Sequence, residues 1–490
     1  MRGGWPLIRQ NGDCQSPHEP HEKAIRQVQL SQIPKVTAKF DEANLIAHAG
    51  LVPVMQLARR AGLGARVATT LTVPGSAGAD AAAKVSSIVA GMVAGADSIE
   101  DLDVLREGAV HKVLPGVKAP STLGTFLRAF TFGHVRQLGA VAAGLLTALA
   151  GLVPLLSGAT SHRDAVTWLD VDDTMRETHG YAKQGVGYGY NKTKGLNALL
   201  AVASTQVNAP VIVGHRLRAG ATNSARGAGK FVSDALAAVR RSGATGVIRC
   251  RLDSAYYTHK VVAAITRGKA QFSITARMDR AVTKAVAAIP ESAWVSIKYP
   301  QAIFDEQEQR WISDAQVAET THTAFTSLAG KHHVTARLIV RRVKRLNPAT
   351  APKGQTALFA AYRYHAVFTN STAPMLTAEA EHRDHAIVEQ VISDMKNSAM
   401  AHFPSGRMNA NAAWLACAVI AYNLTRAAGV LAGGKFAKAR TGTIRSKLIG
   451  IPARVATSGR ATVLHLPENH RHQRAFMAIL DTVQAPPRAA

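Results

Sequence analysis

From Asp41 onward, apolar residues recur at helical spacing through Leu45, Ile46, Leu51, Val54, Met55, Leu57 and Ala58, and the pattern stops at Gly62 to Gly64. Two more helices are predicted over Ala79–Ala94 and Ser98–Arg106. Pro120-Ser121-Thr122 then opens a helix through Phe126, Leu127, Phe130 and Val135, with Arg128 and Arg136 on its polar side. Gly139 to Gly158 is uncharged and of membrane-spanning length, but it is rich in Ala and Gly and contains Pro154. Its transfer energy would be marginal, so it reads as one or two buried helices. Short helices joined by Gly-containing turns are compatible with a helix-turn-helix, although a plain bundle explains the same pattern.

At Ala165 the period changes from helical to two. Val166, Trp168, Asp170 and Asp172 share one face of a strand, and Thr167, Leu169 and Val171 share the other. Asp170 and Asp172 would then point the same way, roughly 7 Å apart. Strands follow at Leu196–Ser204, Pro210–Arg216, Val247–Leu252 and Gln271–Ala276, with helices at Lys230–Arg241 and Tyr256–Arg267, so the expectation is a mixed sheet covered on both faces. Between Arg277 and Thr377 the segments Trp294–Tyr299, Ala315–Phe325, His333–Arg345 and Ala360–Phe368 alternate and are rich in Val, Thr and Tyr, which predicts a β-rich insertion. Beyond it, His382, His385, Glu389, Ser393 and Lys396 fall on one face of a helix, beside an apolar stripe of Val388, Val391, Ile392 and Met395. Asn411–Leu431 is strongly apolar, and residues from Lys435 onward are basic.

The domains expected from this pattern are a disordered tail (1–34), a helical DNA-binding domain (35–158), a core in two parts (159–277 and 378–432) around the insertion (278–377), and a basic C-terminal tail (433–490). Lys plus Arg number 58 against 32 Asp plus Glu, a formal charge of +26. That excess points to a polyanionic partner, nucleic acid ahead of a membrane, because the cations are dispersed among folded segments. Cys14, Cys250 and Cys417 form no C-x-x-C, so neither a disulfide framework nor a thiolate zinc site is suggested. Pro6 and Arg9 interrupt the only early apolar run, which therefore lacks the core of a signal peptide. A reducing, cytoplasmic setting is expected.

Three acidic stretches then carry weight together: Leu169-Asp170-Val171-Asp172-Asp173-Thr174, Cys250-Arg251-Leu252-Asp253-Ser254, and His385 with Glu389 and Lys396. In this order, from about Ala165 to about Asn423, the chain resembles the DDE transposases of bacterial insertion sequences. Within them it is similar to the subgroup with a long insertion between the second Asp and the Glu and a Tyr-Arg-Glu-Lys pattern around that Glu. His382 and His385 stand where that pattern has Tyr and Arg. The resemblance implies a ribonuclease H-like fold: a mixed sheet flanked by helices, interrupted by the β-rich insertion and preceded by the helical domain. It also implies a magnesium-dependent polynucleotidyl transferase that binds the ends of a mobile element as double-stranded DNA, works as a homodimer on that DNA, and acts at the bacterial nucleoid.

Phosphoryl transfer in a DNA backbone is served by two divalent ions roughly 4 Å apart, and hard ions want oxygen ligands. Asp172, Asp253 and Glu389 are the catalytic and metal-ligating candidates for two Mg²⁺ ions, with Mn²⁺ as a substitute. Either Asp170 or Asp172 could bind a metal. Asp172 lies nearer the carboxyl end of its strand and matches the family's Asp-x-Thr with Thr174, so Asp170 is kept as the alternative. Lys396 is the phosphate candidate, and His385 could replace the family's Arg there with weaker, pH-dependent charge. Further DNA-binding candidates are Arg337, Arg341 and Arg345 on the basic edge of the insertion, Arg128 in the helical domain, and Trp294 and Trp311, which the resemblance suggests for stacking on an extruded base. A hydrolytic nuclease on the same fold and an inactive DNA-binding regulator are the rival readings. A zinc enzyme built on His382 and His385 would need further N or S ligands nearby.

Overall fold

Why the sheet takes its shape follows from where its strands are apolar on both faces. The computed structural model describes residues 36–156, 166–178, 183–297, 304–305, 310–311, 315–344, 362–459 and 461–486, and every element lies in one compact unit from Ala43 to Ala490. The predicted tail of residues 1–34 lies outside the described residues. In chain order the strands are β1 (Leu45–Ile46), β2 (Val166–Glu177), β3 (Gly187–Tyr188), β4 (Lys194–Ser204), β5 (Val211–Ala219), β6 (Val247–Leu252), β7 (Gln271–Thr275), β8 (Val295–Ile297), β9 (Phe304–Asp305), β10 (Arg310–Trp311), β11 (Ala315–Ala324), β12 (Val334–Lys344), β13 (Tyr362–Thr369), β14 (Ala453–Ser458) and β15 (Ala461–His465). β4 is buried from Gly195 to Ser204, as befits a strand covered on both sides.

β5, β4 and β2 run antiparallel to their neighbours, and β6 and β7 then add parallel to β2, Asp170 standing opposite Arg251 and Val171 opposite Leu252. The β-rich segment does not form a sheet of its own. β13 pairs with β7, Phe368 opposite Ile274, and β12, β11 and β8 follow in turn, so the main sheet has ten strands. The exposed edge of β7 is what the segment satisfies: an unpaired row of backbone groups next to a buried core takes the nearest strand available.

The helices are α1 (Leu51–Arg60), α2 (Leu63–Thr70), α3 (Gly75–Gly78), α4 (Ala81–Ala94), α5 (Val110–Val113), α6 (Pro120–Arg128), α7 (Phe132–Leu152), α8 (Ala228–Arg241), α9 (His259–Arg267), α10 (Arg280–Ala287), α11 (Met375–Arg383), α12 (Ala386–Lys396), α13 (Met408–Ala432), α14 (Thr441–Ile444) and α15 (Gln473–Gln484). Thr131, whose hydroxyl accepts the N–H of His134, divides the helix expected from Pro120 through Val135 into α6 and α7. Gly139 to Leu152 continues α7, whose stripe of Leu138, Val141, Ala142, Leu145, Leu146 and Leu149 is buried. Leu45 and Ile46 are not helical; they pair with Arg454 and Ala453.

By length and composition α7 and α13 could each cross a membrane. α13, however, is buried on all sides from Ala410 to Gly429, and α7, α4, α6, α1, α15 and β5 pack against it. A helix apolar all round is a core helix. The predicted helical domain and core therefore share one axis. The predicted C-terminal tail is folded too: β14 and β15 form a hairpin that extends β1, and α15 packs on α13 and α1 through Phe476, Ile479 and Val483. Arg60 donates to the carbonyls of Thr482, Val483 and Ala485, closing that end.

Truncation after Gly433 should strip the cover from α13 and yield aggregated protein or one without a cooperative thermal transition. A truncated chain that melts like the full one would show the C-terminal segment to be dispensable.

Candidate active site

Two arginines on β6 fix the junction between α11 and α12. Arg249 and Arg251 stand opposite Trp168 and Asp170 of β2, on the same sheet face. Arg251 is 1% exposed and grips the fully buried Asp170 with both ends of its fork, Nε to Oδ1 and Nη2 to Oδ2 at 2.7 Å each. Its remaining Nη1 donates to the carbonyl of Glu381 at 2.8 Å, and its guanidinium lies 5.5 Å from the centre of the Trp168 ring. Arg249 ion-pairs with the Glu381 carboxylate and donates to Gln271 Oε1. The predicted helix around Glu389 is accordingly two helices: α11 ends at Arg383, and His385 starts α12 with its Nδ1 2.9 Å from Asp170 Oδ1.

Both rings of the His pair are engaged. His382 lies against β7, Nδ1 2.9 Å from Ser273 Oγ and Nε2 3.0 Å from Thr275 Oγ1. Burial, with His385 and Arg251 nearby, drives its pKa down to about 3, so it is neutral and structural. Asp170 has both oxygens occupied, and His385 is held by it instead of standing free.

Asp172 lies in the middle of β2, one residue past the last parallel pair, Val171 with Leu252, and Asp253 directly follows the end of β6, so the two stand side by side. Asp253 is exposed; its Oδ1 accepts the N–H of Ser254 at 2.6 Å and starts a single 3-10 turn. Asp172 Oδ1 accepts the N–H of Asp173 at 2.7 Å. Burial raises the pKa of Asp172 to about 6; the charges of Asp173 and Asp253 push the same way, while the Asp173 N–H and His385 oppose. This is a desolvated carboxyl facing like charge.

Asp173, on the opposite face, accepts from Tyr256 Oη at 2.8 Å, Arg218 Nη2 at 2.9 Å and the Asn197 amide. Tyr256 closes the turn that begins at Asp253, so this network ties the two strand ends together. Sequence reasoning missed Asp173, Arg218 and Tyr256. The adjacency of Asp173 to Asp172 was the one visible sign.

α12 packs on β2 and β4 through Val388, Val391, Ile392 and Met395. Glu389 is exposed in its first turn, one turn after His385 and two before Lys396 on the same face. Lys396 is half-buried; desolvation and the charge of Arg176 lower its pKa, and Asp172 opposes. Glu389 is thus bracketed by a residue that touches Asp170 and one that senses Asp172. Among the described residues, no three His, Cys, Asp or Glu side chains converge closely enough to hold an ion.

The other candidates lie in the β-rich segment and the helical bundle. Arg337 is bound by Glu319 at 2.9 Å and by the carbonyls of Ser371 and Ala373, and Arg341 by Glu379 at 3.1 Å, so both brace the start of α11. Trp294 is buried, its ring covered by Arg342 at 4.3 Å, with Tyr362 at 4.5 Å from the same guanidinium and Glu291 holding it. Arg128 is exposed on α6 and donates to Thr125 Oγ1. Arg345 and the side chain of Trp311 lie outside the described residues.

Two expectations follow. Arg251→Met, which leaves Asp170 buried without its partner, should cost about 3–5 kcal/mol in denaturant melts, whereas the Asp170→Ala/Arg251→Met pair should recover much of that loss. Asp172 has a raised folded pKa, so its protonation favours the fold: that stability is complete below about pH 4 and disappears as pH rises through about 6. With EDTA present, Asp172→Asn should therefore melt a few degrees above wild type at pH 7.5 and no higher at pH 4. An equal or lower melting temperature at pH 7.5 would contradict the assignment of a desolvated carboxyl.

No curated protein matches the chain. The family model described as transposase DDE domain, group 1, matches residues 28–487 and so spans the sheet, Asp172, Asp253 and the α12 helix. The chain belongs to the transposase DDE domain family, group 1.

Proposed function

We propose that this protein is a DNA transposase that cuts the backbone at the ends of a mobile element and joins the 3′-OH ends to target DNA. The observation that carries the reading is the Asp172–Asp253 pair where the parallel pairing of β2 with β6 ends, with Asp172 pushed up by burial and by its acidic neighbours. Carboxylates that repel each other in a partly desolvated site are a donor set suited to hard divalent cations. The strand order supports a ribonuclease H-like core, since three antiparallel strands followed by two parallel ones bring the middle of β2 beside the carboxyl end of β6.

Asp172, Asp253 and Glu389 would hold two Mg²⁺ ions, or Mn²⁺ in their place, which when bound supply activation of the attacking oxygen and neutralisation of the leaving one. Asp170 orients the site: through Arg251 and His385 it sets where α12 begins, and hence how Glu389 approaches. Lys396 would hold a phosphate oxygen next to the aspartates. Double-stranded DNA is the partner the charge of +26 favours, and a homodimer would process two ends together. A nuclease without joining, or an inactive regulator, is the alternative.

Glu389→Gln should abolish cleavage and strand transfer of an element-end duplex while its affinity for that duplex changes less than about threefold, because one neutralised acid adds no phosphate contact. Equal loss of binding and cleavage would sink the catalytic assignment of Glu389. Wild-type protein that cuts without joining would mark a nuclease.

A further inference from the structure

Alternation along β2 puts Thr174 and Arg176 on the face of Asp170 and Asp172, one and two strand repeats further on. Asp170 is neutralised by Arg251 and Asp172 faces Asp253, but Arg176 pairs with no carboxylate among the described residues. Its Nε is buried without a hydrogen-bond partner, and no ion pair reaches its guanidinium among the described residues. Lys396, at the end of the helix packed on this strand, is likewise unpartnered among the described residues and half-buried, and the two cations sense each other.

The arrangement is unlike that of the arginines that hold the fold. Arg251, Arg218, Arg342, Arg341 and Arg249 are each sunk into the protein and each meets a carboxylate. Two partly desolvated like charges that form no ion pair among the described residues, with only the charge of Asp172 offsetting them at Lys396, cost stability, so packing alone does not explain Arg176 and Lys396. An incoming oxyanion removes that cost, and guanidinium and ammonium groups are the donors that phosphate oxygens take.

We propose that Arg176, with Lys396 and the Thr174 hydroxyl between Asp172 and Arg176, forms a seat for a phosphodiester group of the bound DNA strand, next to the reacting one. Arg176 is a positioning residue: it registers the strand so that the reacting phosphate meets Asp172 and Asp253. The inference rests on the transposase reading above for the identity of the strand, but the seat itself is defined by the unpaired cations.

The test compares wild type, Arg176→Met and Arg176→Lys. Without DNA, Arg176→Met should melt higher than wild type, since it removes a desolvated charge that repels Lys396. With an element-end duplex and Mg²⁺, its single-turnover cleavage at saturating DNA should fall about 100-fold, the scale of a lost positioning contact. The slope of log affinity against log salt should flatten by about 0.9, one phosphate contact. Arg176→Lys should keep the slope and most of the rate.

An Arg176→Met protein that melts lower and loses cleavage only in proportion to its folded fraction would show Arg176 to be structural and overturn the proposal. So would an unchanged rate and slope. If wild type neither cuts nor joins, the catalytic reading fails by itself, and the salt slope still decides whether the seat takes a phosphate; inorganic phosphate that protects wild type and Arg176→Met equally against heating would count against it.

Discussion

The bidentate pair between Asp170 and Arg251 is the constraint on which the rest of the site depends. A carboxylate and a guanidinium taken fully out of water are tolerable only when paired and further hydrogen-bonded, and here they are: Asp170 takes Arg251 and His385, and Arg251 takes Asp170 and the Glu381 carbonyl. Satisfying that demand fastens three separate stretches of chain to one point. β2, β6 and the α11–α12 junction cannot shift independently, so Asp172 on β2, Asp253 after β6 and the helix carrying Glu389 are held in one frame.

The ten-stranded sheet extends that frame. β13 continues the sheet from β7, and arginines on β12 reach back to Glu379 and to the carbonyls of Ser371 and Ala373, just before and within α11. The β-rich segment thus delivers α11 to β6 at a set height. A charge row that reads in sequence as a surface for DNA, Arg337 and Arg341, is largely spent on this bracing. The basic excess of the protein is a real pointer to a polyanion, but it does not say which cations are free.

Periodicity made much of the architecture legible. β6 was expected where it occurs, β4, β11, β12 and β13 were off by two or three residues at most, and the strand, strand, helix placement of Asp172, Asp253 and Glu389 could be read before any coordinate. What was not legible depends on partners distant in the chain. Nothing local says that Asp384 and His385 break a helix; Asp170, more than two hundred residues upstream, determines it. Nothing local says that Leu45 and Ile46 are a strand, since their helical spacing is overridden by Ala453 and Arg454. The basic composition of the residues from Lys435 onward hid the apolar face of α15, which its packing against α13 explains.

The charges divide into two populations. Those that build the fold are matched: Asp173 with Arg218 and Tyr256, Asp394 with the hydroxyl and N–H of Thr441, Arg342 with Glu291 between two rings. Those along the Asp172 face are mismatched, with carboxyl against carboxyl at one end and guanidinium against ammonium at the other. Both kinds of mismatch thus fall on one face of β2 and the helix packed against it. Acid repulsion is relieved by cations and base repulsion by phosphate, and a DNA backbone arriving with its divalent ions brings both. On the proposed reading the polarity of the mismatch, acidic at Asp172 and Asp253 and basic two strand repeats further along β2, would orient the backbone across the sheet: the reacting phosphate at Asp172 and Asp253, a neighbouring one at Arg176 and Lys396.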